Sequence, residues 1–428
     1  MWHLLTKWAG VLILLRAPMA RTIHLATHNI GDWLALEVSN DFVSLSVVPE
    51  IGGRVVDLSL CRTPVFYANP RLRGKSISAA DPSLGKNFGG SKVWPAPQGW
   101  NSEAEWPGPP DAVFDCGAYD WRSELSSEAA SICLTSSHDE YTGTTLRREI
   151  KMIAESSSVE VLHSMQNTSR RPVRWSIWQV SQVDAAQGLE IFVPATGFHQ
   201  TFGDKPYPAI FFDSDENRVR VRYADQVAKF AVKATQGWFT SLDRAQGFVL
   251  AETFPVMPAA NYPDGAPVAF WISGHGTFKL HEDQVDIGAA PGGCDPHVET
   301  EIMGPLTDLA PGESASLRTA WHLATIEAQE IVSVNHCGAV GARLSFEPGS
   351  PPRFTGSFGV FWKSTLELIA YDRASQIVGT ADFGEVSPSH PVLLEKKVPL
   401  PRGTVRCCLV LFDSDHKNLG VLDRVSLY

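Results

Sequence analysis

The stretch HVETEIMGPLTDLAPGESASLRTAWHL, residues 297–323, decides the fold class. In its first seven residues Glu299 and Glu301 alternate with Val, Thr and Ile, and a β-strand has a period of two residues. The two carboxylates therefore share one face of a predicted strand, and Gly304-Pro305 and Pro311-Gly312 supply turns after it. Two acids on one face indicate a candidate site, although an exposed antiparallel strand also alternates charged and apolar residues without any function.

Runs of this kind recur along the whole chain. Segments rich in Val, Ile, Phe, Thr and Trp stand between clusters of Gly, Pro, Asn and Asp, as at 42–48, 159–165, 174–183 and 228–235. The 29 prolines and 34 glycines interrupt almost every run, and no long amphipathic helix pattern occurs. The sequence therefore predicts an all-β protein built on a large antiparallel sandwich.

The pattern also predicts two domains. A break falls near residues 328–332, after the strand that contains Trp321, and a second set of short strands begins near Gly341. We therefore expect a main domain over 21–328 and a smaller β-sandwich over 329–428.

The first twenty residues have the order of a secretory signal peptide. Lys7 precedes an apolar run at 8–15, and the small residues Ala17 and Ala20 follow. We expect this segment, residues 1–20, to direct the protein to the periplasm or the extracellular space, and a cytoplasmic protein that starts at Met19 is the alternative. The apolar run is too short to span a bilayer, so no membrane span is expected.

The charge, the cysteine content and the glycine spacing limit which partners, metals and cofactors are expected. The 428 residues carry a formal net charge of −11, which argues against nucleic acid as a partner. The 7 cysteines form no CxxC pair and have no zinc-type histidine spacing, so no metal site is predicted. The glycine pairs at 52–53 and 89–90 lack the spacing of a dinucleotide or phosphate loop, and no cofactor is predicted.

A loop over residues 87–100, NFGGSKVWPAPQGW, has the composition of a sugar-binding rim. Trp94 and Trp100 offer ring faces for the apolar side of a sugar, and Lys92 and Gln98 offer donors for its hydroxyls. A packed surface loop whose tryptophans close the sandwich is the competing interpretation.

Several of these motifs, in the order in which they occur, resemble those of a known superfamily. VVPEIGGR at 47–54, the GGSKVWPAPQ loop, YPDG at 262–265 and ETE at 299–301, followed by GP and LAPGES, occur in this order. Over roughly residues 35–325 the chain resembles the galactose mutarotase-like, or aldose 1-epimerase-like, superfamily, and within it a branch described as a domain of unknown function.

The resemblance implies a β-supersandwich whose broad sheet binds a mono- or oligosaccharide. It implies that Glu299 is the general base, with Glu301 beside it to orient hydroxyls. Lys92 would also orient hydroxyls, and Arg54 would support the sugar. Gln179, His199 and Tyr262 are expected among the further substrate contacts.

One departure from the family pattern leaves the reaction open. The strand at 174–182, where the family's acid histidine would stand, contains no histidine. Because proton transfer at two oxygens needs an acid as well as a base, His297, His199 and Lys92 are the candidate replacements. The sequence predicts a carbohydrate-active enzyme, such as an epimerase or a glycoside-cleaving enzyme, and leaves a non-catalytic glycan-binding protein as the alternative.

Overall fold

The computed structural model describes residues 22–75, 87–99, 102–109, 111–185, 188–280, 283–287 and 296–427. The signal peptide expected at residues 1–20 lies outside this part of the chain. Export and its cytoplasmic alternative therefore stay predictions.

β-Strands are the dominant regular structure of the described chain, and helix is almost absent. The first strands are β1 Ile23–Ile30, β2 Trp33–Asn40, β3 Val43–Val48, β4 Arg54–Leu60, β5 Thr63–Pro64, β6 Ser91–Ala96, β7 Asp120–Leu125, β8 Ala129–Thr135, β9 Thr144–Ile153 and β10 Ser158–Asn167. They are followed by β11 Val173–Asp184, β12 Leu189–Phe202, β13 Ile210–Asp213, β14 Arg218–Arg222, β15 Ala228–Ala234, β16 Trp238–Asp243, β17 Phe248–Thr253 and β18 Val268–Ser273. A single turn of 3-10 helix, Pro263–Gly265, precedes β18.

The remaining strands complete the large fold and build its C-terminal part. They are β19 Gly276–Leu280, β20 Asp283–Ile287, β21 His297–Met303, β22 Thr307–Leu309 and β23 Ser314–Thr325. The C-terminal strands are β24 Ser333–Asn335, β25 Gly338–Glu347, β26 Arg353–Val360, β27 Ser364–Tyr371, β28 Ile377–Val386, β29 Val392–Lys397, β30 Arg406–Phe412 and β31 Asn418–Ser426.

Two antiparallel layers form the large sandwich. The front layer runs β1-β2-β3-β4-β6-β11-β21-β18-β15-β12. The back layer runs β7-β8-β9-β10-β23-β17-β16-β12-β14-β13. The long strand β12 pairs in both layers, which joins them into one continuous sheet. The all-β supersandwich predicted from the sequence is therefore confirmed.

The core lies between the two layers, and the burial pattern follows from the strand period. In β8 and β9 every second residue is buried, as expected for strands with one face toward solvent. In β11 and β21 almost every residue is buried, although several of them are polar or charged. A strand buried on both faces normally reads as a continuous apolar run, so the polar residues on these two central strands mark an unusual region.

The C-terminal part is a smaller sandwich of two four-stranded sheets, β24-β25-β26-β29 and β28-β27-β30-β31. Its own core includes Phe354, Phe358 and Leu409, which are fully buried. A separate apolar cluster joins it to the back layer through Phe361 and Trp238, among others. The domain bounds 21–328 and 329–428 stay a prediction.

In the part of the chain that the structure describes, no helix is long and apolar enough to cross a membrane. Among the same residues, no two cysteines form a disulfide.

Candidate functional site

Glu299 and Glu301 lie at the centre of the front layer, on its outer face, which is the face turned away from the back layer. Their strand, β21, pairs with β11 on one side and with β18 on the other. Thr300 between them points to the inner face and donates to Glu252 of the back layer. The side chain of Glu299 is 14% exposed and that of Glu301 is 1% exposed. Both acids are thus held within the protein, and Glu299 is the more accessible.

Two donors bind the Glu299 carboxylate. Lys92 Nζ lies 3.1 Å from Oε1, and the Gln182 amide donates to the same oxygen. Lys92 comes from β6 and Gln182 from β11, so three adjacent strands meet at this carboxylate. Hydrogen bonds to a carboxylate stabilise its charged form.

Glu301 has a different partner. Lys229 Nζ, from β15, lies 3.0 Å from Glu301 Oε2 and 3.8 Å from Asp264 Oδ2. Asp264 stands in the Pro263–Gly265 turn, where its φ is +54°. The Lys229 ammonium also lies 4.4 Å above the ring of Trp178. The Pro263–Gly265 turn therefore closes one side of the site through the contact between Asp264 and Lys229.

The two carboxylates differ in protonation behaviour. Burial alone would raise the pKa of Glu299, but the positive charges of Lys92 and His297 and the hydrogen bonds from Gln182 and Lys92 outweigh it and hold the pKa below its ordinary value. Burial raises the pKa of Glu301 to about 7, opposed by Lys229 and reinforced by the charge of Glu299. Near neutral pH the site thus holds one ionised carboxylate beside one that can keep its proton, which is the arrangement of an acid and base pair.

The lysines are affected by the same burial. It lowers the pKa of Lys92, against the attraction of Glu299. Burial would also lower the pKa of Lys229, but the negative charge of Glu301 in its ionised form and that of Asp264 outweigh it and raise that pKa. Lys229 is therefore firmly a cation, whereas Lys92 gives up a proton more readily than an exposed lysine does.

His297 lies on the same outer face, two residues before Glu299, but its ring is already engaged. It is 3% exposed and stacks on Tyr67 with ring centroids 4.7 Å apart. The Asn87 amide oxygen accepts from Gly89 N–H, which turns Asn87 Nδ2 toward His297 Nε2 at 3.3 Å. His297 is therefore held beside Glu299 by a stacked ring and a polar contact, and it stays a candidate for the acid together with Glu301.

Two aromatic residues follow Glu299 along the outer face, with Trp271 beside it and Phe202 two strands further away. Trp271 of β18 is the direct cross-strand partner of Glu299 and is partly exposed. Phe202 of β12 is also partly exposed, and its ring centroid lies 5.0 Å from that of Trp271. These are the aromatic faces that the register brings beside the carboxylates.

Directly behind the site, the inner face carries a buried polar network. Ser91, Ser181 and Thr300 are cross-strand neighbours there, one residue away from Lys92, Gln182 and the two glutamates. Glu252 of β17 accepts from Thr300 Oγ1 at 2.5 Å and Ser181 Oγ at 3.4 Å. It also accepts from Gln179 Nε2 at 3.2 Å and Trp321 Nε1 at 3.2 Å. Since all of these donors are neutral, burial raises the pKa of Glu252 to about 7.

Three residues predicted to contact substrate are placed elsewhere. Gln179 is on the inner face, because it is an odd number of residues from Gln182 along β11, and it bonds to Glu252. Trp94 is 3% exposed and has Lys92 Nζ 4.0 Å above its ring, so this ring face is not open to a sugar. Arg54 is 1% exposed, and it binds Asp115 at 2.5 Å and the Gly89 carbonyl.

The other predicted residues are not gathered around Glu299. Gln98 is exposed, and it lies six residues, or about 20 Å of extended chain, beyond Lys92. His199 is exposed on the outer face, but Ala231 and Ala269 separate it from Glu301 in the cross-strand row. The Tyr262 hydroxyl accepts from Met257 N–H at 2.9 Å. Trp100 lies outside the described residues.

The structure adds residues that the sequence did not single out, namely Gln182, Lys229, Asp264, Trp271, Phe202 and Glu252. For Asp264 a signal was present, since it stands inside the YPDG motif. Lys229 and Trp271 are brought to the site by the pairing of β15, β18 and β21, and no local sequence pattern shows which strands pair. Among the described residues, no group of three or more His, Cys, Asp or Glu side chains is arranged to hold a metal ion.

The fold and site thus define a β-supersandwich with a lysine-paired glutamate site on its front layer. The chain belongs to the family described as Domain of unknown function (DUF4380), whose model matches residues 34–324. No curated protein matches the sequence.

Solved structures with similar folds include several that are described as aldose 1-epimerases or mutarotase-like proteins. A candidate aldose 1-epimerase from Escherichia coli K12 is 14% identical, with a TM-score of 0.45, covering 71% of this chain and 100% of that one. A galactose mutarotase-like protein from Clostridium acetobutylicum is 10% identical, with a TM-score of 0.46, covering 71% and 99%. Galactose 1-epimerase from Lactobacillus acidophilus NCFM is 13% identical, with a TM-score of 0.44, covering 71% and 98%. The family match agrees with the branch of unknown function expected from the sequence, and nothing about this chain's ligand or reaction follows from the structural matches.

Proposed function

We propose that the protein binds a carbohydrate on the outer face of the front layer and carries out acid and base chemistry on it. Glu299 is the base and Glu301 is the acid. The observation that supports this proposal is the pair of carboxyl groups on one face of β21, each with its own lysine partner, and these surroundings favour the charged form of Glu299 and the protonated form of Glu301. Such separation is how an enzyme keeps one carboxylate ready to accept a proton and one carboxylic acid ready to donate at the same pH.

The position of the pair favours one type of reaction. Glu299 and Glu301 stand two residues apart on one strand, which is about 7 Å, and both approach a ligand from the same side. Glycoside cleavage usually needs its two carboxyl groups on opposite sides of the scissile bond. Proton exchange at the anomeric oxygen and the neighbouring ring oxygen is compatible with two carboxyl groups on the same side. The geometry therefore supports an isomerase-type reaction better than hydrolysis.

In such a reaction on a free aldose, Glu299 takes the proton of the anomeric hydroxyl and Glu301 gives its proton to the ring oxygen. The bond between the anomeric carbon and the ring oxygen breaks, and the carbonyl forms. Reversal of the two proton transfers on the other face of the carbonyl closes the ring and restores both carboxyl groups. Lys92 and Lys229 hold the two carboxyl groups in place and stabilise the negative charge on Glu299.

A non-catalytic glycan-binding role is the second candidate. Each glutamate already has a lysine partner, at 3.1 Å and 3.0 Å, and a paired carboxylate also serves as a fixed hydrogen-bond acceptor for sugar hydroxyls. In that case the glutamates contribute to affinity and no bond is made or broken.

The test is an NMR panel of neutral aldoses, in which binding and anomeric exchange are followed together. Wild type is compared with Glu299→Gln, Glu301→Gln and the control Glu124→Gln, which alters an exposed glutamate on β7. We expect wild type and the control to exchange the anomers, with a loss of about 10²-fold to 10⁴-fold in each site variant while binding remains. Equal binding without exchange in any protein favours the glycan-binding role, and absence of binding by wild type rejects the site.

A further inference from the structure

We infer that the ligand site extends from Glu299 along the outer face to a second position on Trp271 and Phe202, and that the protein takes an oligosaccharide or a glycoside with a second ring. This inference rests on the proposed function, because it assumes that the reacting sugar lies at Glu299 and Glu301. The inference adds the class of ligand, because the two carboxylates alone do not distinguish a monosaccharide from an oligosaccharide.

The first support is the register of four neighbouring strands. In one cross-strand row the pairs are Glu299 with Trp271, Trp271 with Lys229, and Lys229 with Phe202. Direct cross-strand partners point to the same face of a sheet, so all four side chains project from the outer face. Three strand spacings separate Glu299 from Phe202, which is about 14 Å. The row is thus longer than a single sugar ring.

The second support is that the aromatic part of this row is accessible. Trp271 and Phe202 are both partly exposed, whereas Trp94 and Trp178 on the same face are 3% exposed. Lys229, which stands between them in the row, bends its ammonium away to Glu301 and Asp264. No charged head therefore lies between the two rings, which approach to 5.0 Å between centroids at an angle of 45°.

The third support is the chemical difference between the two ends of the row. Charged groups that can hold and exchange protons concentrate at Glu299 and Glu301, and aromatic surface concentrates at Trp271 and Phe202. Aromatic faces pack against the apolar C–H face of a sugar ring and contribute area with little loss of side-chain entropy. The charged end thus suits the reacting ring, and the aromatic end suits a ring that only binds.

The neighbouring cross-strand row supports the same inference. Glu301, Ala269, Ala231 and His199 are successive cross-strand partners, and both alanines are fully buried. The Pro263–Gly265 turn lies on this side, with Asp264 held by Lys229. Between Glu301 and the exposed His199 this row presents only buried alanine side chains, whereas the row of Glu299 presents the partly exposed rings of Trp271 and Phe202.

The experiment is saturation-transfer NMR and calorimetry with matched sugars. Glucose and galactose are compared with maltose, cellobiose and lactose, on wild type, Trp271→Ala, Trp271→Phe and the control Trp121→Ala. Trp121 is 42% exposed on β7 of the back layer, so this control removes an accessible tryptophan far from the row. Anomeric exchange of the monosaccharides is recorded on the same samples.

We expect at least one disaccharide to bind wild type more tightly than either monosaccharide. Trp271→Ala lowers the affinity for that disaccharide about tenfold more than it lowers the affinity for either monosaccharide, which corresponds to a difference of about 1.4 kcal/mol. Trp271→Phe retains part of the extra affinity for the disaccharide, and Trp121→Ala changes neither the disaccharide affinity nor the monosaccharide affinity. Saturation transfer is strongest on the second ring.

Two results would overturn the inference in distinguishable ways. If disaccharides bind no more tightly than monosaccharides and Trp271→Ala leaves both affinities unchanged, the site holds one ring, and the aromatic pair serves only to cover the stem of Lys229. The proposed function survives that result if monosaccharide exchange still depends on Glu299. If wild type binds neither monosaccharides nor disaccharides, the inference and the proposed function fail together.

Discussion

The replacement of Glu252 by Gln tests whether the polar network behind the site works through a carboxyl group that keeps its proton. Glu252 is fully buried, and its four donors are the neutral groups of Thr300, Gln179, Ser181 and Trp321. A glutamine has the same shape, and its oxygen can accept from the three donors that meet at Oε2. Its nitrogen can donate to Thr300 Oγ1, because the Thr300 hydroxyl has a second acceptor, the Ser181 carbonyl, at 3.1 Å.

The magnitude follows from linkage between protonation and folding. Burial raises the pKa of Glu252 from 4.5 to about 7, so between these pH values the folded protein binds the proton more tightly than the unfolded chain does. The stability contributed by this proton is present below pH 4.5 and is lost as the pH rises through about 7. Between pH 5 and pH 8 the loss amounts to about 2.5 kcal/mol. A glutamine side chain does not titrate in this range, so the free energy of unfolding of Glu252→Gln lacks this pH dependence.

The assay is urea unfolding of wild type and Glu252→Gln at pH 5 and pH 8, followed by tryptophan fluorescence. Burial also lowers the pKa of His163 to about 3 and that of His322 to about 4, but both histidines are present in the two proteins and cancel in the difference. We expect the free energy of unfolding of wild type, relative to the variant, to fall by about 2.5 kcal/mol from pH 5 to pH 8. The exposed control Glu124→Gln shows no such change. A difference that is the same at both pH values would refute the reasoning.

Three further predictions concern the site and its support. Burial raises the pKa of Glu301 to about 7, so in ¹³C-labelled protein its carboxyl resonance titrates near neutral pH, and a midpoint near 4.5 would contradict the burial argument. Asp115→Ala leaves the buried guanidinium of Arg54 without the carboxylate that lies 2.5 Å away, and urea unfolding should report a loss of about 3 to 5 kcal/mol; a loss below about 1 kcal/mol would show that the ion pair is dispensable. Gly90→Ala places a Cβ 2.0 Å from the Val55 carbonyl oxygen at a φ of +71°, and we expect a loss of at least about 2 kcal/mol by the same measurement, whereas unchanged stability would mean that the chain relaxes freely there.

Local periodicity was sufficient for the fold class and for the central pair of acids. Alternation in residues 297–303 placed Glu299 and Glu301 on one face, and the structure has β21 over this range. The strands predicted at 159–165 and 228–235 lie within or almost coincide with β10 and β15. These features depend only on neighbours in the sequence, which a period of two describes fully.

The remaining parts of the site depend on which strands pair, and local patterns do not contain that information. Lys229 and Trp271 reach the carboxylates only because β15, β18 and β21 are adjacent in this register. The loop predicted over residues 87–100 shows the same limitation, because the structure has the buried strand β6 over Ser91–Ala96 where composition predicted an irregular loop. Trp94 is packed against Trp106 and Trp178, with ring centroids 5.3 Å and 5.4 Å away, and thus serves as core.

The alternation that builds the site also fixes its register. In β21 the glutamates face outward to Lys92 and Lys229, while Thr300 faces inward to Glu252. A slip of one residue would turn both carboxylates into the apolar core, away from the lysines, and would remove one of the four donors of Glu252. The unpaired buried charges would then destabilise the slipped arrangement by several kcal/mol. The inner network and the outer site therefore select the same register from opposite faces of one strand, which explains why polar residues are retained in strands that are otherwise buried on both sides.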